Sequence, residues 1–297
     1  MIASGKLSIG QGEFMNDNKV ANISVRGYSH VLGEKECQDN SISWQEKQYD
    51  AVIVCDGHGG DKYFRSAIGS RFACEAGKKM ISAFMNYVLN NDETRTNWDA
   101  LLSQLEISII NEWNRLVERH FLDNPFESDA RFEKLAEEDK RPLYSSYVKA
   151  YGSTFIAAVL TYKHLFVLKL GDGNVCIMNG QYKACLLDKI YHELSDDQLQ
   201  FNLTTSLCNS DAAKSFKHCN ISVKINRING VLLSSDGVIN SFTTEEAYVA
   251  FVENVFKGFQ DQKLKDAKQE LADFLPELSK KGSGDDLSIA IIVEKQK

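Results

Sequence analysis

Three short apolar runs in this chain stop on the same dipeptide. AVIVC (51–55) runs into Asp56-Gly57, LFVLKLG (165–171) into Asp172-Gly173, and VLLSS (231–235) into Asp236-Gly237. A brief apolar run closed by a turn signal reads as a strand buried on both faces. Strands of that kind need covering layers, which restricts the chain to a layered α/β or all-β architecture. A further acidic pair, Asp285-Asp286, stands directly before a last apolar run, LSIAII (287–292).

The segments between these runs supply the layers. From Lys62 to Leu89, the residues Phe64, Ile68, Phe72, Met80, Ala83 and Tyr87 recur at helical spacing, and from Trp98 to His120 so do Leu102, Leu105, Ile109, Trp113 and Leu116. Both are expected to be long helices covering a sheet. From Asp123 to Arg141, 11 of 19 residues are charged and prolines 125 and 142 bracket the stretch, which reads as a solvated connection or a partly helical excursion. GSTFIAAVLTY, HLFVLKLGDG and NVCIMNGQYKACLL follow as β-rich runs of an antiparallel meander, with an Asn-Gly hairpin turn at MNGQ (178–181). Residues 188–227 are polar and irregular. Two helices are expected over 243–279, the second ending near Pro276, and DDLSIAIIVE closes the chain as a strand.

Composition narrows the function. Against 34 Lys and Arg stand 41 Asp and Glu, a net charge of -7 with no basic cluster, so a nucleic-acid partner is not expected. Residues 1–20 lack the apolar core of a signal peptide, and no run of about 18 apolar residues occurs, so a cytoplasmic protein without a membrane span is expected. Seven cysteines without CxxC spacing read as reduced core thiols. Residues 1–20 form an N-terminal segment and 21–297 a single domain.

One Asp-Gly is an ordinary turn. Three strand ends plus an acidic pair are a different matter, because carboxylates about 4 Å apart repel by roughly 4 kcal/mol at an effective dielectric near 20. Converging acids need cations or protons. Hard divalent ions, Mg²⁺ or Mn²⁺, suit carboxylate, carbonyl and water oxygens. Two such ions lower the pKa of a water and clamp a phosphoryl group for in-line attack.

Five motifs in fixed order, VCDGHGG (54–60), GSTFIAAVL (152–160), LGDGNVCI (170–177), LLSSDGVIN (232–240) and GSGDDLSIAII (282–292), resemble the series of the metal-dependent type 2C serine/threonine protein phosphatases over roughly residues 23–293. The resemblance implies an α+β fold, a four-layer α/β/β/α sandwich of two mainly antiparallel sheets flanked by helices. It implies Asp56 as the bridge between two ions, the Gly57 carbonyl, Asp236 and Asp285 as further ligands, and Asp172 with Asp236 at a third, weaker ion found in some members. His58 falls where the family keeps the general acid, and an imidazole titrating near neutrality suits that work. Gly152, Ser153 and Thr154 match a motif that is mostly structural.

The N-terminal motif departs from the pattern. In VRGYSHVLGEKECQDNS, Asp39 matches the second of two family acids, which helps hold a metal through water, while Gln38 replaces the first, as in a bacterial subgroup with a similar CQD. The phosphate-binding arginine is missing from its usual short spacing, leaving Arg26, His30 and Lys35 as candidates. A lysine offers a point charge without the bidentate fork. Asp286 stands where asparagine is commoner, either as an acceptor behind the ligands or as the start of the last strand. The resemblance implies hydrolysis of phosphoserine and phosphothreonine in proteins by a metal-activated water with no phosphoenzyme, in a pathway with a cognate Ser/Thr kinase. The rivals are a non-catalytic regulator of the same fold, against which all four metal aspartates stand, and a phosphatase of small phosphate esters. No Walker A loop occurs, and GDGNVC fails GxGxxG at its last position, so a nucleotide-binding fold has no support.

Overall fold

The structure is a computed structural model that describes residues 17–91, 96–187 and 205–295. Two five-stranded sheets, antiparallel throughout, carry the architecture. In chain order the elements are β1 (Lys19–Val25), α1 (Tyr28–Leu32), β2 (Asn40–Gln45), β3 (Tyr49–Cys55), α2 (Ser66–Asn90), α3 (Trp98–Asp123), α4 (Ala130–Glu133) and α5 (Glu137–Ser145). Strands β4 (Phe155–Thr161), β5 (His164–Leu170), β6 (Asn174–Asn179), β7 (Ala184–Leu186), β8 (Lys217–Ser222) and β9 (Ile228–Ser234) follow. Then come α6 (Asp236–Ile239), α7 (Glu245–Asp261), α8 (Leu264–Lys281) and β10 (Leu287–Val293). One sheet has the order β1-β10-β9-β6-β7, the other β2-β3-β4-β5-β8.

Alternation along each strand builds the layers. On β3, Ala51, Ile53 and Cys55 pack toward α2 and α3, while Val52 and Val54 face the other sheet. On β10, Ile289 and Ile291 meet Val252, Phe256 and Leu271 of α7 and α8, while Ala290 and Ile292 fill the space between sheets. Every central strand is covered twice, which is why antiparallel strands here read as unbroken apolar runs rather than alternating ones. The result is the expected α/β/β/α sandwich. Among the described residues no helix is long and apolar enough to cross a membrane.

Several expectations need correction. The charged stretch after Asp123 is the partly helical excursion of the two readings (α4, α5), but it is not merely solvated: Phe126, Phe132 and Leu143 are buried, and the buried Arg65, anchored on the Tyr151 hydroxyl (2.7 Å), holds the segment through Asp129 Oδ2 (3.2 Å) and the Asn124 carbonyl (2.7 Å). The β6–β7 hairpin exists, but its connection has four residues and its left-handed residue is Tyr182 (φ 59°), with the Asn179 side chain accepting from the Gln181 and Lys183 amides. Pro276 lies inside α8, which continues to Lys281. Of 188–227, residues 188–204 lie outside the described residues, and 217–222 form the edge strand β8, whose only buried residue is Cys219.

Candidate metal and phosphate centre

The strand ends meet at one rim of the sandwich. Asp56 leaves β3 and is fastened to the head of β4, its amide donating to Thr154 Oγ1 (2.9 Å) while the Thr154 amide donates to the Asp56 carbonyl (2.8 Å). Asp236 follows β9 as the first residue of α6, and Asn240 Nδ2 donates to its Oδ2 (3.1 Å). Asp285 precedes β10, its Oδ1 accepting from the Asp286 amide (2.9 Å). Asp39 sits just ahead of β2 with 4% of its surface exposed.

These carboxyls act on one another. Burial first, then the charges of Asp39 and Asp236, holds Asp56 well above the usual carboxylate range, and Asp56 and Asp236 are close enough to share a hydrogen bond. Burial first, then Asp172 and Asp285, raises Asp236, although the shared bond with Asp56 works the other way. Burial pushes Asp39 up to about 8, opposed by the hydroxyls of Ser235 and Ser288 and reinforced by Asp286 and Asp285. Among the described residues no lysine or arginine ion-pairs with Asp39, Asp56, Asp236 or Asp285.

The structure therefore sets Asp56 within electrostatic range of Asp39, Asp236 and Asp285, and Asp172 within range of Asp236 and His58. Among the described residues no three of these side chains form a closed set of metal ligands. The donor chemistry nonetheless fits a hard divalent cation: the groups are all oxygen donors, and Asp39 Oδ2 is buried without a hydrogen-bond partner.

His58 is held beside them. Its amide donates to the Gly152 carbonyl (3.1 Å), and its ring meets Tyr63 edge-on at 5.0 Å. A Cβ at position 152 would stand 2.6 Å from His58 Cδ2, so glycine there makes room for the imidazole. Burial lowers the His58 pKa, the facing Asp172 opposes that, and Lys62 adds to it.

The three phosphate candidates separate. Arg26 is exposed, its Nη1 3.4 Å from the Lys35 carbonyl. His30 turns to Asp286, Nδ1 3.0 Å from Oδ1 but misaligned for a hydrogen bond. Lys35 lines an open cleft of about 570 Å³ with Gln38, Gly60, Asp61, Phe64 and Arg131. Arg131 carries no signal in the sequence because it lies in the charged excursion, where it pairs with Glu36 (2.9 Å) and Asp129 (3.1 Å). Ser235, Ser288 and Thr154 are equally invisible there as partners of the acids, since a serine or threonine beside a strand end has no distinctive spacing.

Comparison with known proteins identifies the family and the fold. Residues 26–276 match the family model described as Protein phosphatase 2C. A bacterial serine phosphatase superposes with a TM-score of 0.55 at 14% identity, over 94% of this chain and 99% of that one. The serine/threonine phosphatase Stp1 from Staphylococcus aureus gives 0.57 at 13%, over 96% and 98%. The catalytic domain of the serine/threonine phosphatase PstP, solved with two manganese ions, gives 0.50 at 14%, over 94% and 99%. No curated protein matches in sequence.

Proposed function

Because the chain belongs to the protein phosphatase 2C family of serine/threonine phosphatases, we propose that it removes phosphate from phosphoserine and phosphothreonine in proteins with the help of two Mn²⁺ or Mg²⁺ ions. The observation that carries this reading is the convergence of five aspartates, one of them with an orphaned buried oxygen. Asp56, the Gly57 carbonyl, Asp236 and Asp285 would hold the pair, with Asp39 behind them and Asp172 beside Asp236 for a third, weaker ion. When bound, such a pair supplies an acidified water and offsets phosphoryl charge.

The chain's own groups do the rest. His58 gives its proton to the seryl or threonyl oxygen as that bond breaks, and the burial that lowers its pKa makes the imidazolium a stronger acid while leaving fewer of them at neutral pH. Thr154 fixes the backbone of Asp56, so the carboxylate needs no reorganisation. Of the phosphate candidates Lys35 is supported by its place in the cleft wall beside Gln38, and the phosphoprotein would lie across Gly60, Asp61 and Arg131. A Ser/Thr kinase of the same pathway would supply the substrate, in the cytoplasm.

Hydrolysis of phosphoserine and phosphothreonine peptides, compared with phosphotyrosine and small esters across a Mn²⁺ and Mg²⁺ titration, tests the reading. The expected result is a metal requirement and a preference for the first two. Full activity in excess chelator, or a trapped phosphorylated enzyme, would contradict it.

A further inference from the structure

Asp286 takes no part in the roles above, yet it is the most engaged carboxylate at this rim. With 3% of its surface exposed, it accepts the Gly27 amide on Oδ1 (2.5 Å) and the Gln38 amide on Oδ2 (2.6 Å), and the Cys37 thiol faces it. The two amides flank the loop that carries α1. One side chain therefore ties both ends of that loop to the start of β10. Further contacts follow the same seam: the Tyr28 amide donates to Ser279 Oγ (3.0 Å), the Ser29 amide to the Gly284 carbonyl (2.8 Å), and Ser279 Oγ to the Asp285 carbonyl (2.8 Å). Gly27 lies so close that a Cβ there would stand 2.3 Å from the Asp285 carbonyl carbon.

The chemistry explains the acid. Two inward-pointing N–H donors need two acceptor oxygens, which a carboxylate has and an asparagine lacks. Charge assistance makes both bonds stronger than neutral ones. Downstream of Gln38 the constraint continues, its carbonyl accepting from Ser70 Oγ and its side chain donating to Ser66 Oγ (2.6 Å), so that Asp39 enters β2 with little freedom.

We propose that Asp286 is a positioning residue that anchors both ends of the 27–38 loop on β10 and so sets Asp39 and the cleft-lining Gln38 against Asp285. The proposal rests on the metal-dependent reading for its functional consequence, while its structural half stands alone.

The test compares the wild-type full chain with Asp286→Asn and Asp286→Ala. In metal-free protein, amide exchange at Gly27 or Gln38 should rise by about 10-fold or more in Asp286→Asn, with core amides of β9 and β10 unchanged, as expected for losing a bond to a charged acceptor. The Mn²⁺ concentration giving half-maximal phosphopeptide hydrolysis should rise by about 10-fold, the size seen when a group behind a metal ligand is removed. In wild type, scalar couplings across the hydrogen bonds from the Gly27 and Gln38 nitrogens to the Asp286 carboxyl carbon should be present, a measurement that needs no variant. Absent couplings, unchanged exchange, or faster exchange with an unchanged Mn²⁺ requirement would each overturn the proposal. A wild-type enzyme indifferent to Mn²⁺ would instead sink the metal reading and leave the anchor to be decided by the couplings.

Discussion

Asp39 and Glu112 are both nearly buried acids, with 4% and 9% of their surface exposed, and the protein treats them in opposite ways. Glu112 on α3 accepts from Arg115 through two nitrogens (2.7 and 3.0 Å) and from Lys79 (2.9 Å), and these cations outweigh burial and hold its pKa down at about 2. Among the described residues Asp39 receives only hydroxyls and faces further acids, and burial first, then those acids, raises its pKa to about 8. Where a buried carboxylate serves the fold, the chain supplies its own counter-charge. At the rim no such cation stands among the described residues, so the acids there are balanced by protons or by a cation from outside.

The largest expected effect is on chemistry. Asp236→Ala should cut phosphopeptide hydrolysis by at least about 100-fold. The circular dichroism spectrum should stay that of the wild type, because the residue sits on the short α6 at a strand end rather than in the core. Wild-type rates from this variant would dissolve the contrast between the two acids. Next in size, Mn²⁺ at 100 times its dissociation constant should stabilise the protein by about 2.7 kcal/mol. The corresponding rise in Tm should be lost in Asp236→Ala and kept in Glu112→Gln.

The two acids also predict opposite responses to pH. A folded pKa raised above the unfolded value favours the protonated native state, so the contribution of Asp39 is complete below the ordinary 3.8 and is lost as pH rises toward about 8. Glu112, lowered from 4.5, contributes above that value and loses its contribution as pH falls toward about 2. Urea unfolding in chelator should therefore show Asp39→Asn flattening the neutral side of the stability profile and Glu112→Gln flattening the acid side. Identical slopes in both variants would remove the distinction. The smallest effect is Glu112→Gln at neutral pH, about 1 kcal/mol, because Arg115 and Lys79 are about half exposed and screened by solvent.

What could be read from the chain follows from the same physics. β3, β4, β9 and β10 were legible because each is covered on both faces and so carries an unbroken apolar run. β8 was not, since an edge strand with one buried residue has almost no apolar signal. The excursion after Asp123 misled because its few apolar residues, Phe126, Phe132 and Leu143, are outnumbered by charges that include the partner of a buried arginine. Asp56, Asp172 and Asp236 were legible as strand-end Asp-Gly pairs and Asp285 as half of an acidic pair, whereas Asp39 came from the resemblance alone. Asp286 stood out beside Asp285, with an acceptor role as one of two readings, but its partners did not, because they are the backbone amides of Gly27 and Gln38 and backbone amides leave no mark in a sequence.

Among the described residues the rim lacks positive charge, which a divalent ion would provide. Calorimetric titration of metal-free protein with Mn²⁺ near pH 7, repeated in buffers of different ionisation heat, tests it most directly. Saturable binding of two ions per chain with net release of protons is expected, since Asp39, Asp56 and Asp236 hold protons more tightly than ordinary carboxylates. Absence of saturable binding, or binding of the same strength in Asp236→Ala, would contradict it.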